Sequence, residues 1–258
     1  MPAAPLISAV GLSVGYRRKT ILADLSFDIL PGSLIALVGR NGVGKSTLLR
    51  TLTADLRPLA GTLMLEGKPL DSYPPRRLAA KIAVVTTEPL QVGALTVREL
   101  VSLGRDPHTG ITGHLTADDR EAVDSAIEAI GITPLADKFM ARLSDGERQK
   151  ALIARALAQD TPLIILDEPF SFLDVSARIE ILSLLRDLCH SRRRAILFSS
   201  HDIAQALRMA DAVWMLSPDR SLIIGTPEEI KHNHLIDNLF DNPNVCFDPQ
   251  QNDFVARQ

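Results

Sequence analysis

The chain has 258 residues, of which 46% are hydrophobic, 23% charged and 4% aromatic, a mix typical of globular proteins rather than disordered or fibrous ones. With 28 Lys and Arg against 31 Asp and Glu, the net charge is -3, so overall charge is not expected to attract the chain to nucleic acid or anionic lipid. Cys189 and Cys246 have no paired or metal-binding spacing, which argues against a disulfide framework and a zinc site and favours a reducing cytosol.

The first 16 residues carry no charge, but they do not have the pattern of a secretory signal. A signal places its positive charges before the apolar segment, whereas residues 17–19, RRK, follow this one. We predict a strand at residues 6–10 instead. No later apolar run approaches the ~18 residues of a membrane-spanning helix, so we expect any membrane association to depend on a partner protein.

Two further β-like stretches, residues 26–30 and 62–66, accompany the first, and we interpret this part as an antiparallel β flap. From residue 33 onward, short aliphatic runs alternate with helical patterns. This alternation predicts an α/β core with a mainly parallel sheet. The runs predicted as buried strands are residues 33–39, 81–87, 162–168, 195–201 and 212–217.

Residues 89–160 hold two strong helix patterns and no convincing buried strand, so we predict a helical subdomain there. The core and flap then comprise residues 1–88 and 161–235, and residues 1–235 form one domain. After His234 the chain is rich in Asn, Asp and Gln. We therefore predict that residues 236–258 form a tail on the surface.

Residues 39–47, GRNGVGKST, fit the P-loop pattern between a predicted strand and a predicted helix. The glycines allow successive backbone N–H groups to face inward as an anion site at a helix N-terminus. Lys45 is predicted to reach the β- and γ-phosphates of a nucleotide and Ser46 to bind Mg²⁺. The alternative is a glycine-rich turn with a solvated lysine. The predicted nucleotide-binding residues are Gly39, Arg40, Asn41, Gly42, Val43, Gly44, Lys45, Ser46 and Thr47.

A buried run, LIILDEP at residues 163–169, ends in two carboxylates. In a parallel sheet, such a strand delivers acidic side chains to the edge where ligands bind. Asp167 is predicted to hold Mg²⁺, and Glu168 to polarise the attacking water. Taken alone, a strand ending in Asp-Glu is more often solvated, but a P-loop is expected to have such a partner.

Residues 143–157, LSDGERQKALIARAL, resemble the LSGGQ-type signature of the ATP-binding cassette (ABC) ATPases, with Asp145 and Glu147 at two changed positions. The segment has the pattern of a helix start, since Ser144 and Glu147 form a capping box. A helix N-terminus is a second phosphate-binding device. The resemblance therefore adds Ser144, Asp145, Gly146 and Glu147 to the predicted nucleotide-binding residues.

Three further positions match the ABC pattern in order, and the resemblance extends over roughly residues 6–230. It implies that Tyr16 stacks on adenine, that Asp174 belongs to a D-loop (SFLD) at the nucleotide, and that His201 is a catalytic switch residue at the γ-phosphate. Alone, Tyr16 would more often be half-buried packing, and His201 would be structural.

One position departs from the family. The glutamine that ABC proteins place after the strand 81–87 is here Thr87, followed by Glu88. Either Glu88 takes the metal-facing place, because carboxylate oxygen suits Mg²⁺, or this contact is weak.

The spacing of the motifs narrows the function within the family. Lys45 and Ser144 are 99 positions apart, which leaves no room for the long coiled coil of ABC-type DNA-repair and chromosome-maintenance ATPases. The chain also has one cassette, whereas ABC translation factors have two. The resemblance therefore implies the ATPase subunit of a transporter whose spanning part is a separate polypeptide.

Residues 95–110, LTVRELVSLGRDPHTG, resemble the importers of iron chelates, haem and cobalamin. We favour a ferric-siderophore system, with haem and vitamin B12 systems as alternatives. The resemblance implies ATP and Mg²⁺, a head-to-tail homodimer, membrane permease subunits, an indirect link to an extracytoplasmic substrate-binding protein and no nucleic acid. It implies a cytoplasmic protein bound to the inner face of the cell membrane. The alternative function is a stand-alone soluble ABC-type ATPase, associated for example with nucleic acid or translation.

Overall fold

The computed structural model describes residues 4–17, 19–86, 94–110, 113–232, 236, 245–248 and 253–256. Thr87 and Glu88 lie outside these ranges. Within them, every helix is too short or too polar to cross a bilayer.

The N-terminal part forms an antiparallel sheet of four strands, which confirms the predicted flap. Its first two strands are longer than expected and pair along most of their length, from Ile7 opposite Ile29 to Tyr16 opposite Lys19. The spatial order is β2-β1-β4-β5. The bounds are β1 Ile7–Tyr16, β2 Lys19–Ile29, β4 Ala60–Leu65 and β5 Lys68–Pro69.

A second, six-stranded sheet contains a strand from each of the five runs that the sequence predicts as buried strands. The order is β10-β9-β3-β8-β7-β6, parallel throughout except for the antiparallel edge strand β10, which the sequence analysis did not predict. The bounds are β3 Leu34–Gly39, β6 Ile82–Val85, β7 Leu163–Leu166, β8 Ala195–Ser200, β9 Ala212–Leu216 and β10 Leu222–Gly225. The mainly parallel sheet is therefore confirmed.

Eight α-helices accompany the sheets in the described ranges. They are α1 Lys45–Leu52, α2 Pro75–Ala79, α3 Val97–Ser102, α4 Ala117–Ala129, α5 Asp145–Ala158, α6 Val175–Arg192, α7 Ile203–Met209 and α8 Pro227–His232. The predicted helical segment holds α3, α4 and α5, one short helix more than the two predicted.

The strands of the parallel sheet separate two hydrophobic cores. Along β3, Leu34, Ala36 and Val38 pack into the core formed with α3 to α7. Ile35 and Leu37 face the opposite core, which α1 and the antiparallel sheet complete. This alternation is the two-residue period of a strand buried on both faces. The sheet is thereby fixed on both sides, with its carboxyl edge at the P-loop.

The C-terminal segment differs from the prediction. Ile236 and Phe247 are 1% and 7% exposed and belong to the core that α3 to α7 form on one face of the parallel sheet. Phe247 lies in a hairpin formed by β11 Val245–Asp248 and β12 Asp253–Ala256. The expectation of a surface tail is therefore wrong for these two residues, because scattered apolar side chains in a polar segment are sufficient to anchor it.

Candidate functional site

The P-loop connects β3, the central parallel strand, to α1. Its three glycines have positive φ angles of 154° at Gly39, 78° at Gly42 and 124° at Gly44. A Cβ at Gly39 would lie 2.8 Å from the carbonyl oxygen of Leu216, so only glycine fits there. No side chain caps the start of α1, which leaves its first backbone N–H groups for an anion.

Lys45 is held inside this loop, only 6% exposed. Its Nζ donates to the carbonyl oxygen of Gly39 at 2.9 Å and to that of Arg40 at 3.4 Å. Burial lowers the pKa of Lys45, and the negative charges of Glu168 and Asp167 oppose that lowering. The ammonium group therefore lies within the field of both carboxylates that the sequence predicts as its partners.

The other predicted loop residues divide by exposure. Val43 is 8% and Thr47 7% exposed, and the Thr47 carbonyl accepts a hydrogen bond from Thr51 at 2.9 Å. Arg40, Asn41 and Ser46 are exposed. The buried members thus fix the loop, while the exposed ones lie on its surface.

Asp167 and Glu168 follow β7 at the carboxyl edge of the sheet, as predicted. The Asp167 side chain accepts a hydrogen bond from the Ser199 hydroxyl at 2.6 Å, and the backbone N–H of Glu168 donates to the same hydroxyl at 2.7 Å. Glu168 has a φ angle of +45°, in the left-handed region that is uncommon for residues other than glycine. Ser199 is a residue that the sequence analysis did not single out.

His201 follows β8 and lies beside Glu168, with 4.0 Å between its Nδ1 and Glu168 Oε2. The next residue, Asp202, caps α7 by accepting from the backbone N–H of Gln205 at 3.0 Å. Arg178 on α6 donates to Asp202 at 2.9 Å and to the carbonyl oxygen of Leu173 at 3.4 Å. Arg178, which the sequence analysis also missed, thus ties the start of α6 to the loop that carries His201.

The signature segment forms the predicted capping box at the start of α5. The backbone N–H of Glu147 donates to Ser144 Oγ at 3.3 Å, and Glu147 Oε2 accepts from the Ser144 backbone at 2.8 Å. That backbone bond is the main cause of a lowered Glu147 pKa. Asp145 accepts from Arg148 at 2.8 Å. Both acidic side chains of the segment are therefore occupied within their own chain.

Two further residues that the sequence predicts at the nucleotide are Asp174 and Tyr16, and the structure places the first in a helix cap and the second on the surface. Asp174 accepts from the backbone N–H of Ala177 at 2.8 Å and so caps α6. Its neighbour Phe172 is 63% exposed, and a Cβ at Gly146 would lie 3.1 Å from the Phe172 carbonyl oxygen, so the D-loop packs against the signature. Tyr16, at the end of β1, is 44% exposed. Glu88 lies outside the described residues, and its metal role stays a prediction.

Comparisons with known proteins give matches over most of the chain. A family model described as "ABC transporter" matches residues 22–171, and one for an AAA domain matches residues 139–205. The ferric enterobactin transport ATP-binding protein FepC of Escherichia coli (strain K12) is 38% identical, over 89% of this chain and 84% of its own.

The iron(3+)-hydroxamate import ATP-binding protein FhuC of Bacillus subtilis (strain 168) is 35% identical, over 95% of this chain and 92% of its own. A solved structure, described as an inward-facing conformation of a metal-chelate type ABC transporter, is similar with a TM-score of 0.77 and 28% identity. That match covers 98% of this chain and 96% of the other.

Proposed function

The chain belongs to the ABC transporter family of ATPases, and from that membership we propose that it hydrolyses ATP to power uptake of an iron chelate through a separate membrane permease. The observation that carries the cargo class is the likeness, over at least 89% of this chain, to proteins named for ferric enterobactin and iron(3+)-hydroxamate import. Haem and cobalamin are the alternative cargoes. The cargo need not touch this chain, so the residues of the ATP site do not indicate the chemistry of the cargo.

ATP binding begins at the P-loop. The uncapped N–H groups of α1 and the glycine-rich backbone supply donors for the phosphate oxygens. Lys45 adds a charged donor, which exchanges its contact with the Gly39 carbonyl for a phosphate oxygen. Because the ammonium group is already buried in the loop, little further ordering is required when the nucleotide binds.

The donor set beside the loop fits Mg²⁺, which prefers hard oxygen ligands. Ser46 is exposed at the start of α1. Of the two carboxylate oxygens of Asp167, Oδ1 accepts from Ser199, and Oδ2 is the one that we assign to the ion. These two residues would hold the ion, and Glu88 is the further candidate. When bound, the ion neutralises negative charge on the phosphates.

Hydrolysis is assigned to Glu168 as the group that polarises the attacking water. Its carboxylate is 29% exposed, so water can reach it, and His201 lies 4.0 Å away. Asp174 is a weaker candidate, because its carboxylate already caps α6. His201 is assigned to the γ-phosphate, with Asp202 and Arg178 orienting its loop.

The signature segment is assigned to a second copy of the chain. The start of α5 presents Ser144 and Gly146 on a helix N-terminus, which is a phosphate-binding device. We assign it to the nucleotide of a second, head-to-tail copy, which closes the P-loop against water. We expect Gly146 to face that phosphate together with Ser144, whose hydroxyl would exchange its contact with the Glu147 carboxylate, 3.0 Å, for a phosphate oxygen.

A separate cleft offers a surface for the permease. It has a volume of about 1060 Å³ and lies between the antiparallel sheet and the helical segment. Its walls combine apolar and charged side chains, among them Leu63, Leu103 and Arg155. Leu103 is 44% exposed although it is large and apolar. A permease segment bound here would sit where movement of the helical segment against the core can be transmitted.

The proposal is tested by co-expression with the permease genes, purification through a tag on this chain, and ATPase assays in vesicles. We expect a membrane protein to co-purify, and turnover to rise when vesicles contain the permease and a loaded binding protein. Uptake of a ferric siderophore, haem and cobalamin is compared in the same vesicles. A chain recovered only as a free soluble species contradicts the transport function, and uptake of haem or cobalamin alone contradicts the iron-chelate assignment.

A matched pair of variants tests the cleft. Leu103→Asp places a charge in it, whereas Leu30→Asp places one on a residue of similar exposure, 45%, in the turn after β2. We expect only the first to reduce co-purification, with basal ATP turnover kept in both. Equal co-purification of the two variants contradicts the assignment of the cleft.

A further inference from the structure

The register of two neighbouring strands places a serine beside the carboxylate pair. In the parallel pairing of β7 and β8, Leu166 lies opposite Phe198, so Asp167 comes next to Ser199. Ser199 is the first polar residue of a strand that otherwise begins AILF, and it is 0% exposed. A fully buried hydroxyl must find its hydrogen-bond partners inside the protein.

Ser199 uses its hydroxyl on two successive residues. A serine hydroxyl has one hydrogen to donate and lone pairs to accept. The hydrogen goes to Asp167 Oδ1 at 2.6 Å, and the oxygen accepts from the backbone N–H of Glu168 at 2.7 Å. One atom therefore restrains the side-chain rotation of Asp167 and the backbone of Glu168 together.

The second contact occurs where the backbone is under strain. Glu168 has its φ angle at +45°, which residues with a Cβ adopt only when the surroundings compensate. The N–H of such a residue can no longer follow the ladder of a regular strand and needs another acceptor. Ser199 supplies it. The orientation of the Glu168 carboxylate beside His201 depends on this turn of the backbone.

We propose that Ser199 is a positioning residue for ATP hydrolysis, which holds Asp167 and Glu168 in their working geometry without touching the nucleotide. The inference rests on the roles proposed above for those two carboxylates. It assigns to Ser199 an effect on turnover and on the contribution of Mg²⁺, and not on binding of the nucleotide without Mg²⁺, because both hydrogen bonds of its hydroxyl go to the carboxylate pair.

The test compares Ser199→Ala with Thr161→Val. Thr161 is 1% exposed, and its hydroxyl donates to the Leu163 carbonyl oxygen at 2.8 Å. Thr161 lies just before β7, at the opposite end of that strand from Asp167. Thr161→Val therefore removes a hydrogen bond of a buried hydroxyl that is distant from the site. Ser199→Cys, which keeps a weaker donor of similar shape, serves as the second variant if Ser199→Ala does not fold.

Steady-state ATP turnover, ATP binding by a fluorescent analogue with and without Mg²⁺, and thermal unfolding are measured for each variant. We expect Ser199→Ala to lower kcat by about 10- to 100-fold, with KM changed less than about three-fold, as found when groups that orient reacting residues are removed. Analogue binding without Mg²⁺ is expected to stay at the parent level, and Mg²⁺ to strengthen it less than in the parent. Thr161→Val should turn over like the parent.

The variant Glu168→Gln distinguishes a failure of the positioning role of Ser199 from a failure of the proposed role of Glu168. If Glu168→Gln is inactive and Ser199→Ala or Ser199→Cys has the kcat of Thr161→Val, the positioning role of Ser199 is wrong. A rise in KM at unchanged kcat in the Ser199 variants overturns it as well. If Glu168→Gln hydrolyses ATP normally, the proposed role of Glu168 fails, and the inference about Ser199 fails with it.

Discussion

Alanine is expected to lower the free energy of unfolding by different amounts at two glycines of the P-loop, Gly42 and Gly44. Both have positive φ angles, 78° at Gly42 and 124° at Gly44, so alanine strains the backbone at either position by about 1–2 kcal/mol. A Cβ at Gly42 meets no atom within 4 Å. A Cβ at Gly44 would lie 2.9 Å from Ile21 Cγ2 and 3.1 Å from Leu22 Cγ.

The contact at Gly44 adds a packing cost to the backbone cost. Forcing a methyl group into a well-packed site typically costs about 1–3 kcal/mol. We therefore expect Gly44→Ala to lower the free energy of unfolding by about 3 kcal/mol and Gly42→Ala by about 1 kcal/mol. Because Ile21 and Leu22 belong to β2, the strain at Gly44 would also disturb the packing of the antiparallel sheet on the loop.

Urea unfolding, followed by circular dichroism without nucleotide, measures the two free energies directly. The comparison omits ATP because either new methyl group could touch the phosphates. A difference between the two variants of about 2 kcal/mol supports the reasoning. Equal losses would refute it, since they would mean that β2 does not confine Gly44.

Two further predictions concern charged groups. Lys45→Ala should abolish ATP-dependent dimer formation on gel filtration, because only the backbone donors of the loop then remain for the phosphates; unchanged ATP turnover would contradict the P-loop assignment. Hydrogen bonds from the backbone and the hydroxyl of Thr116, together with Arg105, lower the pKa of Asp119 to about 2. The ionised carboxylate therefore contributes about 2 kcal/mol to the free energy of unfolding above pH ~4, and this contribution is lost as the pH falls toward 2. Asp119→Asn should therefore destabilise the protein in urea by about that amount near neutral pH and by less below pH ~4, whereas the exposed neighbour Asp118→Asn should cost under about 0.5 kcal/mol; equal effects of the two at neutral pH would contradict the pKa cause.

The sequence predicts the fold because its local signals and its topology agree. Each of the five aliphatic runs is short and bounded by turn residues, and the strand within it is mostly buried, as in Leu34–Gly39, so period and length both indicate parallel strands. The capping box at Ser144 is visible as an S-x-x-E pattern and is formed in the structure. The edge strand β10 was missed because its residues are only partly buried, and such a run lacks a clear period.

The residues that support the site could not be predicted in the same way. Ser199 acquires its role from the register of β7 against β8, which is a property of the pairing and not of either segment. Arg178 is an arginine in the first turns of a helix, and only the fold brings it to Asp202. A signal for Ser199 does exist, since a polar residue two positions before His201 in a buried strand requires a partner.

Glu168→Gln tests the central claim most directly, because the amide keeps the shape of the side chain but cannot act as a carboxylate base. The variant keeps Lys45 and Asp167, so it should bind ATP with Mg²⁺ and form the two-chain sandwich. Gel filtration with radiolabelled ATP should show a stable dimer that retains uncleaved nucleotide, with turnover reduced about 10²- to 10⁴-fold. Turnover near that of the parent, with no lasting dimer, would contradict the account.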